Sequence, residues 1–139
     1  MDSLFSWNHI HPVLVHFSAA LVPASLASDA LGKYLKRDSL TSASWWMILY
    51  GAIATPVTVF AGWMWSSQFP DSASQNLPDL VIHKWLGLAL AGAVTALTIW
   101  RGKQFANSAR PTLFYLLTGG VTVAALMYQG FLGGRMTLG

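Results

Sequence analysis

The chain has 139 residues, 54% of them apolar and only 9% charged, with a formal net charge of +3 and a sequence pI near 9.5. A soluble domain of this size needs more charge to cover its surface, so the composition points to a membrane protein. The basic excess sits in two short loops and marks topology; it does not argue for nucleic acid. With no cysteine, disulfides, thiolate metal sites and iron–sulfur ligation are excluded.

Four mostly apolar stretches follow one another, at about 12–35, 44–66, 78–100 and 111–133. Each is long enough to cross a ~30 Å hydrocarbon core as a helix. The fold expected is all-α, a single integral membrane domain over 1–139 with four helices packed up-down-up-down. The first connection carries Lys33, Lys36 and Arg37, and the third carries Arg101, Lys103 and Arg110. The second has Asp71 and Asp79 but no Lys or Arg. The positive-inside rule makes the first and third loops cytoplasmic. Both termini and the middle loop then face outward, which in a Gram-negative inner membrane is the periplasm. The opening MDSLFSWNHI lacks the basic region of a signal peptide, so the first helix is expected to be retained.

Aromatic residues mark the edges. Tyr34, Trp45, Trp46 and Trp100 fall near the cytoplasmic interface; Trp7, Trp63, Trp65, Trp85 and Tyr128 fall near the outer one, as ordinary anchors. Pro12, Pro78 and Pro111 suit first helical turns, whereas Pro23 and Pro56 fall inside helices. Asp29 precedes Lys33 by four residues, the spacing of a helix-end ion pair.

Histidine placement carries the functional signal. His16 and His83 each lie just inside the start of an apolar run, and a polar ring inside lipid is costly enough that it normally has a task. Offsets of 66 to 68 residues bring Pro12 onto Pro78, His16 onto His83 and the first basic loop onto the third. They also bring Gly62-Trp63 onto Gly130-Phe131. These matches suggest two equivalent hairpins about a pseudo-twofold axis, with His16 and His83 facing each other across it. In such a bundle helices 1 and 3 are diagonal, and two inward imidazoles with an iron between them fill the gap. At i+4 steps His16 is followed by Ala20, Ala24 and Ser28, and His83 by Gly87, Ala91 and Thr95. Small residues on those faces leave flat space for a porphyrin, although such stripes also serve plain helix packing. The site expected is therefore haem b with His16 and His83 as axial, metal-binding ligands and Ala20 and Gly87 beside it.

His11, five residues before His16, projects about 140° away from it on a helix. It is left with three roles: capping the helix, bonding a haem propionate, or accepting a proton from a quinol. His9 is read as interfacial. Lys84 and Arg135 lie on the outer side as propionate partners, although snorkelling also explains Lys84.

HPVLVHF at 11–17 resembles the opening of a family of small bacterial four-helix membrane proteins of unknown function that carry HPxxVHFP there. Ser18 stands where the family has proline, a departure expected to straighten the helix. HKWLG at 83–87 is similar to the start of that family's third helix. The resemblance covers nearly the whole chain through short motifs. It implies redox work near the outer face, because such proteins accompany Rieske-type or cytochrome c domains, and the architecture is similar to small b-type cytochromes. Three functions stay open on sequence alone. One is a b-type cytochrome moving electrons between a quinol and a periplasmic acceptor, as oxidoreductase or simple carrier. The others are a non-redox accessory or scaffold subunit, and a zinc or copper site or a small transporter. An oligomer is compatible with all three. With every histidine in the outer half, the chemistry is expected on that side alone.

Overall fold

A computed structural model describes residues 6–68 and 76–138; Asp71 and the first five residues lie outside them. Four helices follow in order: α1 (Trp7–Leu35), α2 (Asp38–Ser66), α3 (Pro78–Ala106) and α4 (Leu113–Leu138). All four are long and apolar enough to span a membrane. The protein is an all-α, four-span, multi-pass membrane bundle, as its composition implied.

The helices run beyond the apolar stretches, because local signals at their ends extend them. α1 starts at Trp7, with the Ser6 hydroxyl and His9 Nδ1 bonded at 3.0 Å. Pro12 is therefore interior, not in the first turn as the sequence suggested. Pro23 and Pro56 are interior as expected. At the other end of α1, Lys36 adopts a left-handed conformation (φ 55°), and Arg37 N–H donates back to the Gly32 carbonyl. α2 then begins at once on Asp38, whose charge suits a helix N-terminus. Gly32 permits this tight hairpin, since a Cβ there would sit 2.7 Å from Thr41 Cγ2. Pro78 opens α3 as predicted. The Thr112 hydroxyl accepts from Tyr115 N–H and caps α4.

Each helix packs on its chain neighbours, and α1 closes the ring against α4, so α1 and α3 are diagonal as expected. Buried positions advance in alternating steps of three and four. On α2 they are Ser44, Ile48, Gly51, Thr55 and Thr58; on α3, Gly87, Leu90, Val94, Leu97, Arg101 and Gln104. This 3.5-residue period is that of a left-handed bundle. Large apolar side chains such as Val13, Phe17, Phe60, Trp85 and Phe131 point outward, where lipid solvates them. Much of the interior is polar. Ser25 bonds Ser44, Thr55 bonds Ser18, and Thr98 donates to its own α3 carbonyl at Val94.

The deepest polar contact crosses the diagonal. Arg101 holds Asp29 through two bonds, Nε to Oδ2 at 2.8 Å and Nη2 to Oδ1 at 2.9 Å, with both side chains almost wholly buried. This corrects the expected Asp29–Lys33 pair: Lys33 instead donates to the Pro111 carbonyl, just before α4. Arg101 likewise belongs to the interior of α3 and not to a loop. A flexible lysine one turn away can reach a loop carbonyl, whereas the planar guanidinium matches a carboxylate in both bonds.

Candidate functional site

At the opposite end of the bundle from Asp29 and Arg101, four helices surround a partly open cavity of about 1120 Å³. That lies at the upper end of ordinary ligand pockets, roughly 300–1,000 Å³. Its walls are mostly apolar or glycine, and its conspicuous polar groups are His11, His16, His83, Lys84 and Arg135.

The rings that meet across the diagonal are His11 and His83. Their centroids are 6.3 Å apart and their planes 80° from parallel. The sequence expectation had His16 in that place. Helical phase explains the difference: His11 leads the buried stripe of Ser18, Val22, Ser25 and Asp29, and His16 is turned well away from it. His16 is exposed, with Nδ1 tied to the Pro12 carbonyl at 2.6 Å, yet it still borders the cavity. Ala20, in phase with His16, is exposed and does not line the cavity, whereas Gly87 is buried and does.

The two facing histidines are held differently. His11 Nδ1 donates to the Thr58 carbonyl of α2 at 2.9 Å. The main chain of Gln129 on α4 lies near the His83 ring, but the buried His83 Nδ1 has no hydrogen-bond partner. Gln129 also donates through Nε2 to the His83 carbonyl at 2.8 Å. A ring fixed through Nδ1–H keeps Nε2 as its acceptor, the usual arrangement of a ligating histidine.

Glycines make room for each ring. A Cβ on Gly62 of α2 would lie 2.7 Å from His11 Cε1, and one on Gly133 of α4 would lie 3.3 Å from His83 Cε1. Gly130, also bordering the cavity, has open space where a Cβ would stand. Gly62→Ala is therefore expected to displace the His11 ring and cost about 1–3 kcal/mol as overpacking. Gly130→Ala is expected to be neutral within about 0.5 kcal/mol. Thermal unfolding in detergent, followed by circular dichroism, separates the two.

These pairs reveal the internal repeat in a different register from the one the sequence suggested. His11 and His83 are 72 residues apart, as are Asp29 and Arg101, and Asp38 and Arg110. Thr58 and Gln129, and Gly62 and Gly133, are 71 apart. Each hairpin thus contributes a histidine and a glycine beside a ring.

At the cavity rim Arg135 pairs with Asp79 at 3.1 Å, and Lys84 Nζ lies 4.9 Å from the Trp63 ring centre. Both cations lie at the histidine end of the bundle. Trp65 leans on His11, with centroids 5.9 Å apart. Gln129 was missed by the sequence reading; a lone amide within the last apolar run was the available signal. Among the described residues no three His, Cys, Asp or Glu side chains gather as a metal-ion site.

No curated protein and no solved structure matches this chain. A family model described as predicted membrane protein (DUF2231) matches residues 8–139. The chain belongs to that family of membrane proteins.

Proposed function

We propose that this member of the predicted membrane protein (DUF2231) family is a b-type cytochrome holding haem b between His11 and His83. The observation that carries the reading is the paired geometry of these rings. Two imidazole nitrogens on opposite sides of one metal ion, each at about 2.0–2.1 Å, put their ring centroids roughly 6.4 Å apart. The 6.3 Å separation meets that requirement. The glycines support it, because Gly62 and Gly133 seat the two rings and Gly130 leaves open space on the cavity wall. This reading moves the first ligand from His16 to His11 and retains His83. A zinc or copper site gains less support, since such sites usually recruit three or more ligands.

When bound, the haem supplies a one-electron ferric–ferrous couple. The chain's own residues do the rest. The Thr58 carbonyl orients the His11 ring, Gln129 ties down the His83 main chain, and the apolar walls limit water. Lys84 and Arg135 offer positive charge at the rim for propionates. In this reading the histidine end is periplasmic in a bacterial inner membrane, as the basic loops at the other end imply. A membrane hydroquinone is the proposed donor, and a periplasmic Rieske or cytochrome c protein the acceptor. Oxidising one hydroquinone to quinone releases two electrons and two protons, so two one-electron transfers to the acceptor complete a turnover. The four histidines, His9, His11, His16 and His83, lie in the starts of α1 and α3, away from Asp29, so the redox work stays on the histidine side.

Haem content is the direct test. Protein purified from cells supplied with a haem precursor is expected to carry close to one haem b per chain by the pyridine haemochrome assay. Colourless protein lacking porphyrin, with or without zinc or copper, contradicts the reading.

A further inference from the structure

His16 is not used by the ligand pair, yet it borders the same cavity from the membrane side. On α1, Pro12, Ala19 and Leu26 share a flank at seven-residue spacing, and His16 stands roughly 40–80° round the helix from them. Leu26 shows where that flank points: its Cδ1 lies 2.5 Å from where a Cβ on Gly119 of α4 would stand. α1 and α4 thus touch closely at Leu26, and Lys33 ties them again further on. Toward the histidine end the contact is lost. Gly130 and Gly134 of α4 border the cavity with nothing within 4 Å of a Cβ position. The cavity therefore opens to lipid between α1 and α4, with His16 on its lip.

The chemistry of the ring narrows what enters. Its Nδ1–H is committed to the Pro12 carbonyl, which leaves Nε2 as a hydrogen-bond acceptor on a hydrocarbon-facing surface. An unmatched acceptor there is costly, and lipid tails carry no donor. The equivalent position in the second hairpin, 72 residues on, is Leu88, which needs none. Of these two equivalent positions, the one bordering the cavity carries the polar group. A ligand that reaches it through lipid must be apolar in bulk and carry a hydroxyl donor.

We infer that the α1–α4 opening is the binding site of a membrane hydroquinone, with one ring hydroxyl donating to His16 Nε2. This rests on the quinol-linked reading above and gives His16, not His11, the role of contacting the quinol. His16 is a binding residue here and takes no part in holding the haem.

The test uses the full chain as purified, in lipid nanodiscs, titrated with decylubiquinol under anaerobic conditions. Quenching of tryptophan fluorescence reads binding, since Trp63 and Trp65 line the cavity. Saturable binding is expected in wild type, roughly tenfold weaker in His16→Phe, with recovery toward wild type in His16→Asn, which restores an acceptor. Decylubiquinone, which has no hydroxyl donor, is expected to bind weakly to all three. The haem content of each variant is measured in parallel and should match wild type. Loss of haem in every protein would sink the cytochrome reading alone. Three results would overturn the His16 site: no saturable binding, equal binding in His16→Phe, or quenching that tracks phospholipid headgroup composition instead of decylubiquinol.

Discussion

Arg101→Leu is expected to destabilise the bundle by about 3–5 kcal/mol, because it strands the Asp29 carboxylate in the interior without its partner. Asp29 is wholly buried and receives both Arg101 bonds. Arg101→Lys is expected to lose part of that stability, since an ammonium cannot make the paired bonds of a guanidinium. The double variant Asp29→Leu/Arg101→Leu removes both charges and should recover much of the loss. Unfolding in mixed micelles of increasing denaturing detergent measures all four proteins. A single Arg101→Leu variant as stable as wild type would show that the diagonal contact is not a fastening of α1 to α3.

His11→Ala and His83→Ala are each expected to abolish haem binding or reduce it severely, because a six-coordinate low-spin site needs both nitrogens. The contrast with His16 gives the prediction its edge. His16→Ala is expected to leave the haem spectrum intact, since that ring lies outside the facing pair and is bonded to its own helix. Haem loss on replacing His16, with retention on replacing His11, would restore the assignment suggested by the sequence. His9, bonded to Ser6 at the helix start, should be replaceable without effect.

Much of this was legible from residues alone. Four long apolar runs and two basic loops predict the four-span bundle, and Pro78 places the start of α3. The diagonal relation of helices 1 and 3 followed from their order. His83, Gly87, Lys84 and Arg135 were all placed at the site. What misled was phase. His16 matches His83 in its distance from a proline, but that proline is interior to α1, because Ser6 and Trp7 start the helix earlier. Depth was thus measured from the wrong point. The correct signal was available as a spacing: His11 to Asp29 and His83 to Arg101 are both 18 residues, five full turns that return to one face. Reading Asp29 with its sequence neighbour Lys33 concealed that spacing. A pair four residues apart is common on exposed helices, whereas a carboxylate within an apolar run needs a partner inside the bundle. Gly62 and Gly133 could not be found in advance, since their importance lies in the rings that press on them.

The most direct measurement is a titration of the full-length protein, purified in detergent, with haemin, followed by dithionite reduction and an optical spectrum. Saturation at about one haem per chain is expected, with a sharpened Soret band and a narrow α band on reduction, the features of two-histidine ligation. Haemin that stays in the spectrum of free or micelle-dissolved haem at every ratio would contradict it.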